Sequence, residues 1–147
     1  MEFDKDFLGK LFEQAVTNPR LRQNFDLRTS PADTSQRMLN ALLPGTKVPI
    51  HRHEDSTETV ICLVGKLEEI IYEEVNEYIY EATSCCGDVT RQRKIKEISR
   101  QILSPAEGKF GIQIPAGAWH TINIIEPSVI FEAKDGAYRG DGRLKKD

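Results

Sequence analysis

The chain is sparing with cysteine, with basic residues and with long apolar runs, and each shortage removes a class of protein from consideration. Its 147 residues hold three cysteines, Cys62, Cys85 and Cys86. That odd number, in a chain with no visible export signal, argues against a disulfide framework and for reduced thiols. Lys and Arg total 20 against 23 Asp and Glu, a formal charge of −3, so nothing draws the whole molecule to phosphate backbones or anionic lipid. We therefore expect no nucleic acid and no membrane among its partners. No apolar run approaches the ~20 residues a membrane span requires. The opening MEFDKDFLGKLFEQ is acidic from residue 2 and lacks the basic and apolar regions of a secretory signal, so the expected location is the cytoplasm. No internal repeat or low-complexity tract is evident. What remains is 39% hydrophobic and 29% charged, an ordinary globular composition of a length suited to one core.

The N-terminal segment carries Phe3, Phe7, Leu8, Leu11, Phe12 and Ala15, an apolar stripe at helical spacing that predicts an amphipathic helix over 3–16. Asn18-Pro19 ends it, because proline disfavours helical geometry in the residue before it. After Pro31 the chain turns to short segments of alternating polarity, with a turn at Pro44-Gly45, and most of it reads as β. The clearest strand is 58–64, apolar on both faces apart from Glu58 and Thr59, which suggests cover from the helix or from a partner subunit. Gly65 is expected to turn the chain into 66–74. Within 75–104, Tyr78 and Tyr80 alternate like a strand while Ile95, Ile98 and Ile102 are spaced like a helix; a long hairpin is the expectation. Three short strands are expected over 110–114, 119–125 and 128–133, then a charged, loosely held tail.

All three histidines fall in two short clusters, His51-Arg52-His53 and the segment ending Trp119-His120. Two histidines at i, i+2 in extended chain point to one side and can share an ion. Glu58 lies at an odd offset from His53, so a turn in Glu54-Asp55-Ser56-Thr57 is needed to bring it back beside them on a neighbouring antiparallel strand. His120 would join from more than sixty residues away, just after a Pro-x-Gly turn. Three imidazoles and a carboxylate suit one divalent transition metal such as Fe, Mn, Ni or Zn, rather than Ca or Mg.

Gly45, five residues, His51-x-His53, four residues, Glu58, six residues and Gly65 fit the first motif of the cupins, and Pro115-x-Gly117-x-x-His120 fits the core of the second. The sequence resembles that superfamily. More narrowly, Asn18-Pro19-Arg20-Leu21-Arg22-Gln23-Asn24, Pro44-Gly45-Thr46, the run from Ile114 to Thr121 and the run from Phe131 to Tyr138 resemble the WbuC-like cupin metalloproteins. The resemblance implies an all-β jelly roll with an N-terminal helical extension (1–30), a cupin domain (31–138) and a polar tail (139–147). It also implies a metal at the barrel mouth, a homodimer, and a link to bacterial surface polysaccharide synthesis. Two departures stand out: Asn123 arrives one residue early for the second motif, and Asp26-Leu27-Arg28 stands where Asn-Leu-His is expected.

Glu58 is the candidate catalytic residue, completing the metal shell or acting as a base. Gln113 and Trp119 are candidate substrate contacts, with a half-exposed strand residue and a core aromatic as their ordinary alternatives. Cys62 reads as a small buried hydrophobe, Arg91 to Lys96 as a solvated face, and Arg20 and Arg22 as helix-end surface residues. The functional expectation is a metal-dependent enzyme on a small sugar or sugar-nucleotide type molecule, an isomerase or dioxygenase, with a non-catalytic binding module or a structural-metal protein as alternatives.

Overall fold

The computed structural model describes residues 1–82 and 87–137; Cys85, Cys86 and the expected tail lie outside the described residues. One helix, α1 (Lys5–Thr17), opens the chain. The Asp4 carboxylate caps it, accepting from the Phe7 N–H at 2.8 Å, and extended Asn18 ends it ahead of Pro19. Six strands follow: β1 (Arg22–Asp26), β2 (Ser35–Leu42), β3 (Glu58–Ala82), β4 (Gly87–Leu103), β5 (Gly111–Ile114) and β6 (Trp119–Asp135). They form one antiparallel sheet in the order β1-β2-β6-β3-β4, with β5 paired to the start of β3. The architecture is the expected all-β roll preceded by a helix. β1 belongs to that sheet, so the segment read as a helical extension also contributes a strand.

Alternation along the strands divides the sheet into two packed faces. Leu39 and Ala41 of β2 and Val129 of β6 receive Leu11 and Ala15 of α1 on the outside. Leu42 and Ile130, one residue out of step with them, point inward to meet Val60, Cys62, Leu67, Leu103, Ile114 and Ile124. The helix therefore covers one part of the outer face. It does not cover the outer side of 58–64, where Leu63 and Val64 are exposed.

Two expectations are corrected here, and the long hairpin expected over 75–104 is seen in the antiparallel pairing of β3 with β4. Gly65 makes no turn: β3 runs through it, at φ 96°, with register shifts against β6 between Cys62 and Leu67. This bulge moves the inward positions from even to odd, so Glu58, Val60 and Cys62 face inward before it and Leu67 and Glu69 after it. β6 likewise continues through Pro127, where two strands were expected; the shifted stretch lies opposite the proline, which has no N–H to give a ladder. The helical spacing of Ile95, Ile98 and Ile102 belongs to a strand with one extra residue. β4 pairs Glu97 with Tyr72 and Ser99 with Ile71, leaving Ile98 as the bulged residue and restoring Ile95 and Ile102 to one face. Beyond the Tyr72–Trp119 pair, β3 and β4 pair only with each other among the described residues, forming a two-stranded ribbon.

A Cβ at Gly65 would collide with the Pro127 carbonyl and with Ser128, and its φ is one that L side chains rarely adopt. Gly65→Ala should cost ~2–3 kcal/mol and lower Tm by ~5–10 °C. Gly9→Ala, in the helix where an added Cβ meets nothing within 4 Å, should leave Tm unchanged or raised. Thermal unfolding followed by circular dichroism checks the pair.

Candidate metal centre

The extended segment carrying His51 and His53 is attached to the start of β6 by a two-way bridge. His51 N–H donates to the His120 carbonyl at 3.0 Å, and His120 N–H returns the bond at 2.8 Å. The Pro115-Ala116-Gly117 turn is fastened to the same segment, Gly117 N–H donating to the His53 carbonyl at 2.7 Å, with Gly117 at φ 81°. Glu58 opens β3, buried to 3% exposure. The expected turn between His53 and Glu58 is present as a bend at 54–55, but its product differs from the expectation. Glu58 pairs with Ile114 and Lys134 while His51 pairs with His120, so β6, and not pairing between their own segments, joins the two halves of the cluster.

The outcome is one group of donors. A ligand atom from each of His51, His53, Glu58 and His120 lies within 4.8 Å of the others. Glu58 Oε2 is 3.0 Å from His53 Nε2 and 3.2 Å from His120 Nε2. Two ligands at ~2.1 Å from one ion and at right angles are about 3 Å apart, so these separations suit adjacent positions on a single metal. The imidazoles are already oriented: His51 Nδ1 bonds the Pro49 carbonyl and His120 Nδ1 the Ala118 carbonyl, each at 2.9 Å. A carbonyl only accepts, so the Nδ1 atoms carry the protons and the Nε2 lone pairs face the shared centre. At His120 that lone pair meets a carboxylate oxygen, an arrangement that calls for a cation between them. The donor set fits one divalent transition metal.

Electrostatics agree with that fit. Burial, reinforced by His120, lowers the His51 pKa to about 4, so the ring is neutral at pH 7 with its lone pair available. Burial opposes ionisation of Glu58, but the His120 and His53 rings beside it and the charge of Lys134 outweigh it and hold the carboxyl well below its usual range. Lys134 Nζ lies 3.3 Å from His53 Nε2 and 3.5 Å from Glu58 Oε1. The donors thus already attract a cation on a flexible stem.

The centre forms part of the wall of a cavity of about 240 Å³. Sequence reasoning missed much of its lining. Arg20 and Arg22 enter it from the end of the helical segment and from β1, Asn40 from β2, Glu69 from β3, and Glu132 and Lys134 from β6. Glu69 became visible only with the Gly65 bulge, which turns odd positions inward. Glu132 and Lys134 follow from the β6 alternation that points Ile130 inward, a signal present in the sequence. Desolvation, then the Glu58 charge, raises the Glu132 pKa to about 7.

Neither expected substrate contact lines this cavity. Gln113 is exposed, its side-chain amide donating to Thr59 Oγ1 at 3.4 Å. Trp119 alternates with His120 and so takes the other face, donating to Glu74 Oε1 at 2.9 Å beneath the Arg52 guanidinium, which is 4.6 Å from the ring centroid. Asn123 donates to Glu68 Oε2 at 2.8 Å and takes no part in the centre. Cys62 is the expected buried thiol, pushed up to about 11 by burial.

A family model described as a domain of unknown function, DUF6016, matches residues 3–83, more than half of the 147 residues. The chain belongs to the DUF6016 family. The DUF6016 match takes in the helix, the first three strands, His51, His53 and Glu58, but stops short of His120. No curated protein matches the chain. Among solved structures, an oxalate oxidase in complex with glycolate matches at TM-score 0.55 and 14% identity, over 85% of this chain and 56% of that one. Escherichia coli ycfD matches at TM-score 0.50 and 17% identity, over 91% of this chain and 31% of that one. Bacillus subtilis oxalate decarboxylase at pH 4.6 matches at TM-score 0.50 and 17% identity, over 84% and 27%. The chain thus spans about half the length of the oxalate oxidase and less of the others. At these identities the likeness is one of fold, an all-β jelly roll. Among the described residues no helix is long and apolar enough to cross a membrane.

Alanine at His51, His53 or His120 should abolish stoichiometric metal binding, and Glu58→Gln should weaken it at least tenfold, read by competition with a chromogenic chelator. A raised carboxyl pKa means that the folded state holds its proton more tightly than the unfolded chain. Glu132 therefore lends stability that is complete below pH ~4.5 and lost as pH rises through about 7. In chelator-treated protein, Glu132→Gln should raise Tm relative to wild type more at pH 8 than at pH 5; an equal shift at both would show that the titration is elsewhere.

Proposed function

We propose that this protein is a metal-dependent cupin that acts on a small polar molecule of the sugar or sugar-nucleotide type. The observation that carries the reading is the placement of the four donors in the wall of a cavity rather than sealed within the core. Four protein ligands on a six-coordinate ion leave two positions open to a ligand, and a metal there supplies Lewis acidity toward a substrate oxygen. His51, His53 and His120 would hold the ion through Nε2, the Nδ1 protons of His51 and His120 given to backbone carbonyls. Glu58 would complete the shell, or release one oxygen to take a proton from the ligand. Glu69 and Glu132, two further carboxyl groups at the cavity, provide acid and base capacity that the sequence reading did not foresee, which favours an isomerase-type or oxygenase-type enzyme over a purely binding role.

The likeness to WbuC-like proteins adds a finer reading: an accessory of bacterial surface polysaccharide synthesis, working in the cytoplasm as a homodimer. The ribbon beyond Tyr72 supports the dimer, because an isolated two-stranded ribbon is marginal in water and this one exposes Tyr78, Tyr80 and Val89. In this reading residues 31–138 are the cupin domain, and residues 1–30 are an extension that brings Arg20 and Arg22 to the cavity.

Cobalt substitution distinguishes an open site from a closed structural one. The cobalt protein should show the weak visible bands of a five- or six-coordinate ion, altered by addition of a hexose or a uridine diphosphate sugar. Intense tetrahedral bands insensitive to both would contradict the proposal and favour a structural ion.

A further inference from the structure

Two polar atoms in the cavity wall are buried without a hydrogen-bonding partner among the described residues: Asn40 Oδ1 and Glu69 Oε2. Orphaned buried polar atoms cost ~1–3 kcal/mol each, and here both belong to side chains that line a space able to hold a ligand. Glu69 is 1% exposed and lies on the inward face of β3 only because the Gly65 bulge puts it there. Its surroundings disfavour charge: burial first, then Glu58 and Glu132, push its carboxyl well above the usual range, toward the form that donates as well as accepts. Asn40 is already committed on its other side, since it hydrogen-bonds the Glu132 carboxyl. What the two lack is a partner that both donates and accepts, which is the chemistry of an alcohol.

Arg20, Arg22 and Lys134 also line the cavity, with Lys134 Nζ 3.5 Å from Glu58 Oε1. An anion is the species that such a wall attracts. The size restricts the choice further: about 240 Å³ is the volume of roughly eight waters at ~30 Å³ each. That is room for a single short-chain or monosaccharide unit.

Resting on the metal-site reading above, we infer that the cavity binds a small hydroxy acid of the sugar-acid class. Its acidic group lies by Lys134, Arg20 and Arg22, and a hydroxyl lies between Asn40 and Glu69. A polar molecule without the acid forgoes the cationic side chains, and an acid without hydroxyls leaves the two orphaned atoms unsatisfied.

Calorimetric titration of the manganese-loaded protein with D-gluconate, hexanoate and sorbitol tests this. Gluconate should bind at least tenfold more tightly than either of the others. Glu69→Leu replaces an unpartnered buried polar group with an apolar one and should fold. It should bring gluconate down to the affinity of hexanoate, leave hexanoate unchanged and keep one metal per chain; a merely structural Glu69 would alter Tm without altering that ratio. Equal affinity for the three probes, no binding of any of them, or an unchanged preference in Glu69→Leu would overturn the hydroxy-acid inference while leaving the metal reading in place. Failure of the wild type to retain manganese would instead overturn the metal reading, and gluconate binding to such protein with loss in Glu69→Leu would still support the hydroxyl site.

Discussion

A carboxylate with 3% of its surface exposed has to be matched by positive charge or by donors, because its desolvation is otherwise prohibitive. Glu58 is in that position, and the surrounding structure can be understood as its compensation. Two imidazoles approach one of its oxygens and the Lys134 ammonium approaches the other. The His51 and His120 rings point inward because the backbone carbonyls of Pro49 and Ala118 hold their far nitrogens. Those carbonyls are fixed because the His51 segment and β6 are bonded to each other in both directions. Removing any member leaves either a buried charge or an unanchored ring.

The same requirement makes the site selective in what it accepts. Nitrogen donors with protons elsewhere, set against a carboxylate, repel one another until a cation enters, and imidazole with carboxylate favours a transition metal. The fold places this demand at the wall of a cavity that Arg20, Arg22, Asn40, Glu69, Glu132 and Lys134 also line.

Much of this was legible in the sequence. The helix was readable because its apolar stripe and its proline stop are local signals. The four donors were readable because residue types at fixed offsets, together with glycines at both flanks, carry their own geometry. Illegible features trace to broken periodicity. A bulge at Gly65 reverses which residues of β3 face inward, so Glu69 was assigned no role. A bulged Ile98 gave one strand of the expected hairpin a helical spacing, and a proline inside β6 suggested a gap where the strand continues. Gln113 and Trp119 were read by proximity in sequence to the donors, but strand alternation sends Trp119 to the opposite face from His120. Arg20 and Arg22 could be assigned to the cavity only once β1 was seen to pair with β2, a long-range fact that no local pattern contains.

The central claim is that His51, His53, Glu58 and His120 hold one metal ion, and elemental analysis tests it most directly. The protein would be purified without chelator and without nickel affinity resin, then its metal content counted per chain. The account predicts about one equivalent of iron, manganese, nickel or zinc, lost in His120→Ala. A wild-type protein that retains no transition metal, and takes up none when it is supplied, would contradict it.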